Sequence, residues 1–218
     1  MTKRFALIIA IFILGFAGFL IFVKKDAKAP SNNSVVKPTS HTFGQGKTGV
    51  TLVEYGDFQC PACYSFEPVI LQVRSKYQEQ ITFQFRNFPL FQIHKNALVA
   101  ARAAEAASLQ GKFWEMHDKL YENQDPTGKT GWVVASDPAS FFVTFAGQLG
   151  LDTSKFSADL KSSYTNDLVQ ADLSEGQKLS LSSTPSFILD GNKLEDPRNT
   201  IEWFSGVIDD AIKAKTGR

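Results

Sequence analysis

The chain holds two cysteines, Cys60 and Cys63, with only Pro61 and Ala62 between them. Thiols this close can form an intramolecular disulfide and reopen it through a mixed disulfide with another thiol, so the spacing suits thiol-disulfide exchange. A purely structural disulfide accounts for it poorly, because closing so short a loop removes little entropy from the unfolded chain. No metal site is expected: two thiolates are too few ligands, and His41, His94 and His117 show no ligand spacing with them. A chance pair of idle core cysteines is the remaining alternative, and the sequence around the pair argues against it.

That surrounding sequence reads as strand, then helix. Residues 50–55 are rich in β-branched and aromatic side chains and predict a largely buried strand ending at Gly56. Pro61 suits a first helical turn, and Phe66, Val69, Ile70, Val73 and Tyr77 recur at helical spacing, with a kink expected at Pro68. Cys60 then sits at a helix N-terminus, where unpaired N–H groups and the helix dipole favour an anion and lower a thiol pKa. Cys63, one turn further in, is expected to be more buried and to act as the resolving thiol.

The rest of the chain completes an α/β pattern. Ile81, Phe83 and Phe85 alternate with Thr82, Gln84 and Arg86, giving a second strand and a β-α-β unit. From about 95 to 181 the chain reads as an inserted helical layer, with helical stretches at 97–109 and 113–121 and breaks at Pro126, Gly128, Gly131 and Pro138. Residues 186–189 predict a strand, Asp190-Gly191-Asn192 a turn, and 193–195 an antiparallel return. Asn199, with Glu202 three residues later, predicts a capping box opening a last helix through Ile208 and Ile212.

The N-terminus is different in kind. Residues 5–23 carry no charge and as a helix would reach about 28 Å, enough to span a bilayer. The competing reading is a signal peptide cut after Ala27-Lys28-Ala29. The length of the apolar run, Lys24 and Lys25 directly after it, and Pro30 beyond the cut all weigh against cleavage. The expected layout is a cytoplasmic stub and transmembrane anchor at 1–25, a flexible tether at 26–49 broken by Pro30, Pro38, Gly44, Gly46 and Gly49, and one domain at 50–218. Flanking charges do not decide the orientation, since Lys3 and Arg4 face Lys24, Lys25 and Lys28. Disulfide chemistry favours an extracytoplasmic domain on a single-pass cell-membrane protein. A net charge of +1, scattered along the chain, leaves no footprint for nucleic acid.

The segment Glu54-Tyr55-Gly56-Asp57-Phe58-Gln59-Cys60-Pro61-Ala62-Cys63 resembles the active-site segment of the DsbA-like thioredoxin-fold oxidoreductases, of the membrane-anchored DsbA/BdbD type. Arg86-Asn87-Phe88-Pro89-Leu90, the Ala-rich stretch at 97–107, Gly111-Lys112-Phe113-Trp114 and Ser183-Thr184-Pro185-Ser186-Phe187 are similar to later blocks of that family, so the likeness runs from about residue 50 to the C-terminus. It implies a thioredoxin fold, a central mixed sheet flanked by helices, with the helical insertion. It implies a cis Thr184-Pro185 bond beside the disulfide, where substrate would pair, and a buried acid at Glu54 that could move protons for Cys63.

The same resemblance implies a dithiol oxidase that introduces disulfides into reduced exported proteins and is reoxidised by a membrane partner of the DsbB or VKOR kind. No cofactor is expected, and the chain is expected to be a monomer. Ala62 departs from the histidine that the strongest oxidants carry between their cysteines, which implies a milder oxidant unless Thr184 donates a hydrogen bond to the sulfur. Asp57 and Gln59 read as loop residues, while Phe58 and Phe88 suit either core or substrate-facing surface. The alternatives are a disulfide reductase or isomerase, a tethered chaperone-like peptide-binding module, and a copper or zinc carrier.

Overall fold

A computed structural model of the protein describes residues 36–217. The expected anchor at 5–23 and the start of the expected tether lie outside them. Among the described residues no helix is long and apolar enough to cross a membrane.

Five strands form one mixed sheet in the order β1-β3-β2-β4-β5. They are β1 (His41–Phe43), β2 (Thr51–Gly56), β3 (Thr82–Asn87), β4 (Ser186–Leu189) and β5 (Asn192–Lys193). β2 and β3 run parallel, which demands a crossover, and helix α1 (Pro61–Lys76) supplies it. β4 lies antiparallel on the other side of β2, and β5 turns back on β4 through Asp190 and Gly191, both at positive φ. Between β3 and β4 come α2 (Ala97–Ser108), α3 (Phe113–Glu122), a 3-10 turn (Gly131–Val133), α4 (Ala139–Gln148), α5 (Thr153–Lys161) and α6 (Ser163–Lys178). Helix α7 (Ile201–Thr216) closes the chain.

Two main cores adjoin on one face of the sheet, since Phe83 and Phe85 are two residues apart on β3. In the first, Val50, Leu52, Ile70, Val73, Phe83, Phe187, Phe204 and Ile208 pack between the sheet, α1 and α7. In the second, Phe58, Phe85, Met116, Leu120, Tyr121, Trp132 and Phe142 pack with the alanines of α2, and both cysteines belong to this core. The other face carries a smaller cluster of Tyr55, Phe88, Leu173, Leu181 and Ile188. Seven alanines of α2 are buried. Ala has high helix propensity and almost no side chain, so this helix can bury most of its circumference against its neighbours.

Two details depart from the sequence reading. The stretch read as a tether contains a strand: β1 pairs antiparallel with β3, with His41 opposite Phe85 and Phe43 opposite Phe83. It is fastened by the fully buried Asp172 of α6, whose carboxylate accepts from the Thr39 amide at 2.6 Å, the Thr39 hydroxyl at 2.7 Å and the Asn87 amide at 3.0 Å. The first strand of the sheet thus begins within the stretch read as a tether, while helix α1 continues past Pro68, the position where the sequence predicts a kink. The last helix is capped by Thr200, whose hydroxyl accepts from the Trp203 amide at 3.3 Å, while the Asn199 side chain is taken by the Ser65 carbonyl at 2.7 Å. Both residues suit an N-cap, and the contact to Ser65 decides between them.

Gly56 ends β2 where the backbone passes close to aromatic rings. A Cβ there would lie 2.5 Å from Phe85 Cε2 and 3.2 Å from the Tyr121 hydroxyl, and both rings are buried. Gly56→Ala is expected to destabilise the fold by about 2 kcal/mol through overpacking, read as a lower urea midpoint. An unchanged midpoint would show that the rings give way.

Candidate active site

Cys60 is the N-cap of α1, with extended backbone angles (φ −72°, ψ 123°) and Pro61 directly behind it. Its amide donates to the Asp57 carbonyl at 3.0 Å, and its carbonyl accepts from Tyr64, so the CxxC turn is held from both ends. The buried residues of α1 are Cys63, Glu67, Ile70, Val73 and Arg74, one inward stripe at helical spacing that sets Glu67 one turn beyond Cys63. Pro61 and Ala62 are exposed on the first turn. The Thr184-Pro185 bond is cis, and Cys60 Sγ lies 3.5 Å from the Thr184 carbonyl. Four of the expected site residues, Cys60, Cys63, Thr184 and Pro185, thus stand at the junction of α1 and the loop before β4. Glu54 stands on the strand behind them.

Both cysteines are free thiols, 7% and 1% exposed, and their environments drive them apart. Cys60 is pulled down to about 5, first by the hydrogen bond from the Cys63 thiol, against its own burial, then by Thr184 and by the amides of Cys63 and Ala62. The Thr184 hydroxyl is buried with no other partner, so its proton is free for the thiolate. Cys63 is pushed well above the ordinary thiol range by burial, then by the Cys60 sulfur and the charge of Glu54. Its contact with the Asp57 amide, at 3.5 Å, opposes this only weakly.

Alkylation of the reduced protein is therefore expected to follow a single ionisation with a midpoint near pH 5, assigned to Cys60, while Cys63 stays unmodified. Equal reactivity of both thiols, or a midpoint near the ordinary 8.5 or so, would contradict this environment.

Glu54 sits mid-sheet with Phe85 opposite it on β3 and Phe187 on β4, 1% exposed and with Oε2 unpartnered. Burial pushes it up to about 8, with Arg74 pulling the other way. Such a carboxyl is neutral at pH 7 and can carry a proton. Phe58 and Phe88 are core residues, 1% and 3% exposed.

Several functional neighbours carry no sequence signal. Asp57 is a buried hub whose carboxylate accepts from the Gln59 amide at 2.7 Å and the Leu90 amide at 2.9 Å, and lies 2.7 Å from His94 Nδ1. Gln59 reaches into the insertion, donating to the Val133 carbonyl at 3.0 Å and accepting from the Asn96 amide at 2.7 Å. Gln124 returns the grip, donating to the Phe58 carbonyl at 2.5 Å and the Cys60 carbonyl at 3.2 Å. Below Cys63, Glu67 is raised to about 7 by burial and borders a cavity of about 470 Å³ with Tyr121 and Asp118. Glu67, His117 and Asp118 offer atoms within 4.8 Å of one another, as metal ligands would. The cation there is already supplied by Arg74, 3.1 Å from Asp118 and 3.9 Å from Glu67.

A family model described as thioredoxin matches residues 36–210. The chain belongs to the thioredoxin family. Within that family it is 29% identical to the "Probable disulfide bond formation protein D" of Bacillus cereus, over 77% of each chain. The solved structure of oxidised BdbD from Bacillus subtilis superimposes with a TM-score of 0.68 at 20% identity, covering 81% of this chain and 96% of that one, a likeness of fold. The "Na(+)/H(+) antiporter NhaA 1" of Mycolicibacterium gilvum is 32% identical over 94% of this chain. This thioredoxin-family chain spans only 32% of that antiporter's length. The mixed sheet, flanking helices and DsbA-like character read from residues 54–63 agree with these relatives.

Proposed function

We propose that the protein is an extracytoplasmic dithiol oxidase that places disulfides in exported proteins through a Cys60–Cys63 disulfide. The observation that carries the reading is the division between the two thiols: a Cys60 stabilised as thiolate beside a Cys63 held protonated. Stabilising the thiolate stabilises the reduced protein, so the disulfide is the form that gives up its bond.

A substrate thiolate attacks Cys60 Sγ, the S–S bond breaks, and Cys63 leaves with its electron pair and takes a proton from neutral Glu54. A second substrate thiolate attacks the substrate sulfur of the mixed disulfide, and Cys60 leaves as the thiolate. The substrate loses two electrons and the protein gains them. Thr184 and Pro185 border the sulfur under attack, where an extended substrate segment would lie. In this reading residues 5–23 anchor the domain, and a membrane oxidase of the DsbB or VKOR kind restores the disulfide. Antiport is no part of this reading, since the chain spans about a third of the length of its antiporter relatives.

The test is the equilibrium potential of the Cys60–Cys63 couple, titrated against glutathione and read by thiol trapping. A value more oxidising than cytosolic glutathione is expected. A strongly reducing value would overturn the oxidase reading in favour of a reductase or isomerase.

A further inference from the structure

Asp57 is bonded to both cysteines through its backbone and to His94 through its side chain. Its amide donates to Cys63 Sγ at 3.5 Å, and its carbonyl accepts the Cys60 amide at 3.0 Å. Its carboxylate, with no exposed surface, lies 2.7 Å from His94 Nδ1 and is steadied by the Gln59 and Leu90 amides. The imidazole is therefore fixed in the frame of the two sulfurs by short bonds through one residue. Its side chain is 16% exposed, so water screens it only in part.

We propose that His94, held by Asp57, is a positioning residue for the Cys60 thiolate: its imidazolium stabilises the sulfur anion from outside the CxxC turn, where Pro61 and Ala62 carry no charge. The inference rests on the exchange chemistry proposed above, since the anion appears when the disulfide is reduced.

The charged groups bearing on His94 are Asp57 and Cys60, both from the CxxC turn. The neighbouring Lys95 turns away to donate to the Val134 carbonyl at 2.8 Å. The loop before β4 and the insertion bring neutral groups to the site, the Thr184 hydroxyl and the carbonyls that Gln59 and Asn96 occupy. His94 is raised above its ordinary value, first by the bond to Asp57, against its burial, then by the charges of Asp57 and Cys60. Coupling is reciprocal: whatever the thiolate does for the imidazolium, the imidazolium does for the thiolate. Protonated His94 therefore favours the reduced form, and this support fades as pH rises through the raised His94 value.

The test uses the 218-residue chain in two ways. In the reduced protein, Cys60 is titrated by its thiolate absorbance in the unmodified chain and in His94→Gln. The variant's midpoint is expected to rise by about half to one pH unit, a three- to tenfold loss of thiolate below the midpoint. In the unmodified protein, NMR titration of His94 is expected to show its midpoint falling by a similar amount when Cys60 and Cys63 are oxidised. This second measurement does not depend on a variant folding. An unmoved Cys60 midpoint in a folded His94→Gln variant, or a His94 titration identical in both redox states, overturns the proposal. Failure of the unmodified chain to form a reversible Cys60–Cys63 disulfide against glutathione would instead sink the exchange reading, with the Cys60 titration still deciding the role of His94.

Discussion

Replacing Cys60 with Ser is expected to bring disulfide transfer to a reduced dithiol peptide down to the uncatalysed background, because without it the protein has no internal disulfide for a thiolate to attack, and Cys63 is 1% exposed. Cys63→Ser should behave differently. Cys60 can still exchange with a disulfide, but no resolving thiol remains, so a mixed disulfide accumulates and is read by mass spectrometry. Cys63→Ala leaves no donor in place of the largest stabiliser of the Cys60 thiolate, so in that variant the alkylation midpoint should climb from about 5 toward the ordinary thiol value. Substantial transfer by Cys60→Ser would remove the exchange mechanism. Peptide binding without any transfer by the unmodified protein would leave only the chaperone-like account.

Glu54→Gln is expected to make the protein more stable at neutral pH and worse at its chemistry. The folded carboxyl titrates at about 8 against an ordinary 4.5, because burial penalises its charge. A raised acid leaves stability intact below the unfolded value and drains it as pH climbs toward the folded one. At pH 7, in the upper part of that window, the loss is on the order of 3 kcal/mol. Gln carries no such liability, so its advantage in denaturant midpoint should be large at pH 7 and vanish near pH 4. Exchange should slow, because the proton that Cys63 takes and returns has lost its carrier, and the limb of the pH–rate profile near 8 should disappear. Equal stability at pH 4 and pH 7 in both proteins would mean that Glu54 is solvated and has no such role.

What could be read in the sequence divides along physical lines. Strands β2 and β3 and helix α1 were legible because alternation and helical spacing are local, repeated signals, and the CxxC pair announces itself by spacing. β1 was missed because three residues among glycines and a proline give no period. Its identity as a strand comes from Phe83, Gln84 and Phe85 opposite it and from Asp172, 133 residues beyond Thr39. Glu54 was visible only through family resemblance, since one acid in a strand has no pattern. Asp57, His94, Gln59 and Gln124 lie beyond either route: their partners are 33 to 74 residues away, and each is a single polar side chain whose meaning depends on the fold around it.

The strand order also says when this molecule can fold as it is made. β2 sits at the centre of the sheet, and one of its two edges is satisfied only by β4, which begins at Ser186. A chain emerging N-terminus first therefore carries an open central strand, with the cysteine turn at its end, until nearly all of it has left the ribosome. The Thr39–Asp172 bonds impose the same wait on the opposite border of the sheet. Folding should be a late, concerted event rather than a progressive one, so shortening the chain from its C-terminal end into β4 should leave no folded remnant.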